Sequence, residues 1–284
     1  MGSPDAYVAM NYVVPTAASS PASEPMQYYG LLGDYVGGFW GTIIGAVTLI
    51  VVFLTWRTTK HNELKTKTYD VFTEMLRTHE EIVSSIKLGT LEGRDALEII
   101  LSEFYYIYRA TRKLVPNYSD WSVEQRIDIA FTISYYGLQL HTKQVLSAYD
   151  PARIQQVLDL ITRTRQKNDA LAKPKDKRRF PGHQNRLSHY FRNLYNAYKF
   201  IDSSALDADD KTALAQVLRA KLSNYEQALL ILNIISHLGR PWEKNGIVCR
   251  YWPFKNVPKY FFSFDKGFAP KERFPCVTFE WEAH

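Results

Sequence analysis

The sequence predicts a mainly α-helical protein with one N-terminal transmembrane helix, a cytoplasmic helical bundle and an irregular aromatic and proline-rich C-terminal cap. One observation is a run without any charged residue from Val36 to Trp56. Another is a series of helix-length apolar patterns separated by glycine and proline. The third is a change of composition after residue 240, where prolines recur among aromatic clusters. We therefore predict a disordered tail over 1–30, a transmembrane helix over 34–57, a helical domain over 58–240 and a cap over 241–284.

The uncharged run is long enough to cross a bilayer. A helix of that length spans about 31 Å, close to the hydrocarbon thickness of a membrane. Trp40 and Trp56 stand near its two ends, where interfacial aromatic residues are typical. A cleaved signal peptide would need a basic N-terminal region, and residues 1–35 contain no Lys or Arg. The run is therefore predicted to be an anchor.

The charges on either side of this run predict its orientation. Arg57, Lys60, Lys65 and Lys67 come after it, and nothing basic precedes it. The positive-inside rule then places the N-terminus outside and the main domain in the cytoplasm.

Three glycines of the run recur at every fourth position, at Gly37, Gly41 and Gly45. Small residues at this spacing let two membrane helices approach closely, which predicts self-association. The alternative is that glycine is simply common in membrane helices.

After the anchor, the periodicity predicts a bundle of helices and then an irregular end. The last long helix finishes in the apolar sequence ALLILNIISHL and is expected to be the central buried helix. Short strands are expected at 260–264 and 276–281. The predicted helices run to about residue 87 and then over about 94–114, 122–148, 151–172, 184–202 and 208–238.

Composition restricts the chemistry only weakly. The net charge of +6 permits contact with anionic lipid or nucleic acid but requires neither. Cys249 and Cys276 are predicted to be reduced thiols of a reducing compartment. The sequence carries no phosphate-binding glycine loop and no recognisable metal-ligand spacing, so no cofactor and no metal are predicted.

A basic loop at 173–182, KPKDKRRFPG, separates two of the predicted helices. It is either a solvated loop or a contact for anionic lipid or a nucleic-acid backbone. The residues that would make this contact are Lys173, Lys175, Lys177, Arg178 and Arg179.

Polar residues concentrate on two consecutive helices and suggest an internal polar seam. If the helices are antiparallel neighbours, Glu226 could pair with Arg186, His189 or Arg192. Such a network is either structural or part of a binding site. The predicted seam consists of Arg186, His189, Arg192, Asn193, Ser223, Asn224, Tyr225 and Glu226.

No catalytic residue is predicted for the leading hypothesis, but an enzymatic alternative stays open. A membrane-tethered ribonuclease could use His183, Arg186, His189 and Glu226. Arg178 and His183 also have the Arg-x4-His spacing of helical ribonucleases of the HEPN type. Pro181 and Gly182 stand between them and argue against the helical presentation that those enzymes use.

Two sequence blocks carry a family resemblance. The first contains Gly182, His183, Leu187, His189, Tyr190, Phe191, Arg192, Leu194 and Tyr195, and the second contains Leu222, Ser223, Tyr225 and Glu226. Together with GDYVGGFWGT at the start of the anchor, they resemble the putative phage abortive infection proteins, an AbiC-like, membrane-anchored bacterial family. The resemblance covers about residues 33–240. It implies antiviral defence in which the infected cell stops growing or dies, and it supplies no catalytic residues.

The leading hypothesis is a non-enzymatic effector or sensor in the bacterial inner membrane. Its expected partners are membrane lipid, other copies of itself, and a defence-system protein or nucleic acid, with an unknown phage trigger. Another alternative is the effector of a retron-like complex with a reverse transcriptase and its DNA, which the loop at 173–179 would contact.

Overall fold

The computed structural model describes residues 23–114, 121–171 and 181–282. Two compact units divide the chain, one over 1–63 and the other over 64–284. The described residues are mainly helical, which confirms the predicted fold class at this level.

Helix α1, Ser23–Ser85, supplies all the described structure of the first unit and continues into the second. It contains the whole uncharged run Val36–Trp56, which we call the apolar segment. The hydroxyls of Thr42, Thr48 and Thr55 donate to the carbonyl oxygens four residues earlier at 2.7–2.8 Å, so they leave no unsatisfied polar group.

By length and composition, α1 is able to cross a membrane, and it is the one such helix among the described residues. Some core helices of soluble proteins and some signal sequences share this length and composition. The helix begins at Ser23, so residues 23–30 are helical and not part of a disordered tail. The rest of the predicted tail lies outside the described residues.

The second unit contains a two-stranded antiparallel hairpin and a set of helices. The hairpin pairs Lys87–Leu88 (β1) with Leu91–Glu92 (β2). The long helices are α2 (Gly93–Leu114), α3 (Val123–Tyr136), α5 (Pro151–Leu171), α6 (Gln184–Ser203), α7 (Ala208–Lys221) and α8 (Asn224–Ile235), and the short ones are α4 (Leu140–Val145), α9 (Arg240–Lys244), α10 (Ile247–Tyr251) and α11 (Pro270–Arg273).

Helices α2 and α8 form the centre of the second unit. Helix α2 packs against α3, α5 and α8, and α8 also packs against α3 and α9. Residues 226–234 of α8 are all buried, which confirms the prediction of a central buried helix.

Two predicted helices are interrupted in the structure. The predicted helix 122–148 ends at Tyr136, because Gly137 has a φ of 76° and leaves the helical conformation. The predicted helix 208–238 breaks at Leu222, where Ser223 caps a new helix. In both places a local capping signal overrides the apolar periodicity.

The C-terminal residues 236–282 form short helices and turns, and no described helix there exceeds five residues. This agrees with the expected irregular cap, but the two predicted strands are wrong. The structure has 3₁₀ turns at Lys259–Phe262 and at Glu280–Glu282 instead. Pro258 and Pro275 stand just before the two predicted strands, and proline has no N–H to donate to a strand ladder.

Cys249 and Cys276 form a disulfide, with 5.3 Å between their Cα atoms. The prediction of free thiols is therefore wrong for this structure. That prediction rests on the compartment alone, whereas the fold brings two residues that are 27 positions apart into bonding range.

A buried ion pair also fixes the C-terminal segment to the bundle. Arg126 of α3 donates to Asp265 at 3.0 Å, and Tyr108 of α2 donates to the same carboxylate oxygen. Burial alone would raise the pKa of Asp265, but the hydrogen bonds from Tyr108, Gly267 and Arg126 outweigh it and lower that pKa.

Candidate functional site

A fully buried carboxylate, Glu226, stands in the first turn of α8. Its Oε1 lies 3.1 Å from Nε2 of His79 in α1, and its Oε2 accepts a hydrogen bond from Nε of Arg94 in α2 at 3.2 Å. The side chains of His79 and Glu226 are 1% and 0% exposed. Three helices therefore meet at one carboxylate. We call His79, Arg94, Ser223 and Glu226 the Glu226 cluster.

The local sequence Ser-x-x-Glu explains why the carboxylate lies there. Ser223 Oγ accepts a hydrogen bond from the Glu226 amide at 3.3 Å, and the Ser223 amide donates to Glu226 Oε2 at 2.8 Å. This reciprocal pair is a capping box. It places the negative charge at the positive end of the α8 dipole.

Glu226 is an anion at neutral pH. Burial alone would raise the pKa of its carboxyl, but hydrogen bonds from His79 and from Ser223 outweigh burial and lower the pKa below its ordinary value of 4.5. A buried anion of this kind is tolerated because each oxygen has partners, and removing one partner leaves an uncompensated charge.

Tyr190 of α6 adjoins this cluster. Its ring lies 5.4 Å from the imidazole ring of His79. Burial and the negative charge of Glu226 raise the pKa of Tyr190 well above its ordinary value, so the phenol is neutral. The Tyr190 hydroxyl and Nδ1 of His79 are buried and have no hydrogen-bond partner among the described residues.

A second buried pair joins α6 to α2. Nε2 of His183 lies 2.8 Å from Oε2 of Glu103, and the two side chains are 0% and 10% exposed. The His183 amide also donates to the carbonyl oxygen of Tyr135 at 2.8 Å. His183 is therefore anchored through both its backbone and its side chain.

Gly182 makes this arrangement possible. Its φ is 81°, and a Cβ built there would lie 2.7 Å from the carbonyl carbon and oxygen of Tyr136. Only glycine allows both the left-handed backbone and so close an approach of the two chain segments.

The structure places none of the residues predicted to pair with Glu226 in contact with its carboxylate. Arg186 donates from Nε to the carbonyl oxygen of Lys87 at 2.6 Å. His189 and Arg192 are exposed on α6. The predicted pairing of Glu226 with Arg186, His189 or Arg192 is wrong, because α1 and α2 supply its partners.

The remaining residues of the predicted seam also have separate environments. Asn193 is half-buried, and its Nδ2 has no partner among the described residues. Asn224 is exposed at the first position of α8. Tyr225 packs against Phe261, with 5.6 Å between ring centroids. The predicted seam is therefore several contacts and not one network.

The four enzymatic candidates do not share an accessible surface. His183 and Glu226 are fully buried in different pairs, whereas His189 is exposed. Arg178, the other member of the Arg-x4-His pattern, lies outside the described residues. Among the residues that the structure describes, no group of three or more His, Cys, Asp or Glu side chains is arranged to hold a metal ion.

Two other sites are predicted from the sequence. The basic residues Lys173, Lys175, Lys177, Arg178 and Arg179 all lie outside the described residues. Gly37, Gly41 and Gly45 lie on the exposed apolar segment, and a Cβ at any of them would have no heavy atom within 4 Å.

Comparison with known families finds a match in the C-terminal part of the chain. Residues 182–262 match the family model described as putative phage abortive infection protein. The predicted family resemblance is confirmed for this part of the chain, and residues 33–181, with the anchor, lie outside the match. No curated protein and no solved structure is significantly similar to the chain.

The matched region begins at Gly182 and runs through α6, α7 and α8 into the C-terminal segment. Most residues of its two sequence blocks are structural here. Leu187, Tyr190, Phe191 and Leu194 are buried in the core, and Ser223 with Glu226 forms the capping box. His189 and Arg192 are the members of the first block that α6 leaves exposed.

The partners that complete the two buried pairs come from outside the matched region. His79, Arg94 and Glu103 precede residue 182 and belong to α1 and α2. The region therefore needs the preceding helices to satisfy its buried polar groups.

Proposed function

We propose that the protein is a membrane-anchored effector or sensor of antiphage defence by abortive infection. It would cross the bacterial inner membrane once and place residues 64–284 in the cytoplasm. The family match supports the defence role, and one observation supports the anchor. The side chains of the apolar segment are exposed to solvent, although most large apolar side chains elsewhere in the described helices are buried or half-buried. Lipid would remove that exposure.

Two observations bear on the orientation, and they point in opposite directions. The four cations after the apolar segment favour a cytoplasmic location for residues 64–284. The Cys249–Cys276 disulfide is typical of an oxidising compartment. We propose the cytoplasmic orientation. The flanking positive charges determine topology during membrane insertion, whereas the state of the disulfide depends on the redox conditions around the folded domain.

The protein is expected to stay in the membrane pellet after an alkaline carbonate wash. The double variant Ile50→Asp, Val51→Asp should shift to the soluble fraction, because each charge near the bilayer centre costs about 2.5–3.5 kcal/mol. Leu64→Asp is the matched control: Leu64 is an exposed apolar residue of the same helix beyond the apolar segment, and its variant should stay in the pellet.

Reporter fusions test the orientation separately. A C-terminal green fluorescent protein should fluoresce, and a C-terminal alkaline phosphatase should be inactive. An active phosphatase would show the opposite orientation and would still be compatible with a membrane anchor. Extraction of the wild-type protein by the carbonate wash would contradict membrane anchoring.

Self-association through the glycine face is expected to require close contact between helices. Leucine at Gly41 should reduce cross-linking between copies in membranes and reduce phage-induced depolarisation, because its side chain separates the backbones. Ala46→Leu is the control, since Ala46 is also exposed but lies on the other side of the helix from the face formed by Gly37, Gly41 and Gly45. Equal cross-linking in both variants and in the wild type would show that this face has no role in assembly.

A further inference from the structure

An open cleft lies between one face of α2 and the C-terminal segment. Its volume is about 410 Å³, within the range of small-molecule sites. The α2 residues that line it recur every three or four positions, which places them on one helical face. They are Glu98, Leu101, Ser102, Tyr105, Arg109 and Arg112.

The opposite wall is aromatic and partly open to solvent. Tyr260 is 68% exposed and packs beside Phe261, with 4.7 Å between ring centroids. Phe264 lies 5.4 Å from the ring of Tyr105, at an interplanar angle of 32°. Tyr105 also donates to the carbonyl oxygen of Phe261 at 2.8 Å, which fixes this wall to α2.

Charge is distributed unequally along the cleft. Arg109 is exposed and makes no ion pair or side-chain hydrogen bond with the described residues, and Arg112 lies one turn further along. Glu98 stands about 16 Å from Arg109 along the helix axis. The hydrogen bond with Glu98 raises the pKa of Tyr225, so the phenol beside that carboxylate stays neutral.

We propose that this cleft binds a nucleotide whose base carries an exocyclic amino group. Arg109 would hold the phosphates, since a guanidinium group matches phosphate geometry. Tyr260 and Phe264 would stack on the base. The Glu98 carboxylate at the far end would accept a hydrogen bond from the amino group. The proposal goes beyond the antiphage role and holds whether or not the chain is anchored in a membrane.

The test uses the full-length protein in detergent micelles, with ATP titrated by calorimetry. ATP should bind, and UTP, which lacks the exocyclic amino group, should bind more weakly. Arg109→Glu and Tyr260→Ala should each weaken ATP binding by about tenfold or more, the range of one lost stacking or phosphate contact. Both side chains are exposed, so neither substitution should disturb folding. Arg163→Glu on α5 is the control, because Arg163 is exposed and does not line the cleft.

Further titrations separate the proposal from its rivals. Tripolyphosphate binding as tightly as ATP would reduce the cleft to a general anion site and overturn the proposal. Tighter binding of a single-stranded oligonucleotide that responds to the same substitutions would assign the cleft to nucleic acid instead. The proposal also fails if ATP does not bind at millimolar concentration, or if it binds equally well to Arg109→Glu and Tyr260→Ala.

Discussion

Replacing Glu226 by alanine is expected to destabilise the second unit by about 3–5 kcal/mol, the usual effect of breaking a buried charge pair. The substitution removes the acceptor of both His79 and Arg94 and half of the capping box with Ser223. Chemical unfolding in detergent, followed by far-ultraviolet circular dichroism, measures the change.

Glu80→Ala is the control for this prediction. Glu80 accepts a hydrogen bond from Lys221 at 2.8 Å, but both side chains are about half exposed. Water replaces that contact, so the unfolding midpoint should hardly move. If the two alanine variants unfold at the same midpoint, the Glu226 cluster does not stabilise the fold.

Low pH should reduce the difference in the free energy of unfolding between the wild type and the Glu226→Ala variant. Because the folded pKa of Glu226 is lowered, its stabilisation is fully present above the unfolded value of 4.5 and is lost as pH falls through the lower folded value. The free energies of unfolding of the two proteins should therefore differ most near neutral pH and approach each other at low pH.

Gly182→Ala is expected to cost about 3 kcal/mol or more, from the left-handed backbone together with the overlap of its Cβ with Tyr136. The overlap would push residues 181–183 away from the end of α3. His183 would then lose its backbone hydrogen bond to Tyr135. Thermal unfolding and the yield of folded protein measure the effect.

Gly89→Ala separates the backbone strain from the Cβ overlap as causes of the lost stability. Gly89 has a φ of 66°, but a Cβ there has no heavy atom within 4 Å. It should show the backbone effect alone, about 1–2 kcal/mol. A Gly182 variant no less stable than the Gly89 variant would mean that the close approach of the two segments is unimportant.

The local pattern of the sequence predicts much of the helical framework. The helices over 93–114, 151–171 and 184–203 lie within one residue of their predicted bounds, because glycine, proline and capping residues mark their ends. Apolar periodicity does not predict the breaks at Gly137 and Ser223, since it continues across both. Ser-x-x-Glu at 223–226 is the local signal that marks the second break.

The partners of the buried carboxylates could not be predicted from the sequence. His79 and Arg94 are 147 and 132 positions from Glu226, and Glu103 is 80 positions from His183. Helical periodicity reports which residues share a face, but not which distant face packs against it. The polar pattern correctly singles out Glu226 as a residue in need of partners, but those partners lie on helices far away in the chain.

The Cys249–Cys276 bond gives the aromatic cleft a dependence on its surroundings. A cross-link closing a loop of this length contributes about 3–4 kcal/mol by restricting the unfolded chain. Tyr260, Phe261 and Phe264 all belong to that loop. In a reducing cytosol the loop would lose this restraint, and in an oxidising space it would keep it. The conformational restraint on one wall of the cleft would then depend on the redox conditions on the side of the membrane that the domain occupies.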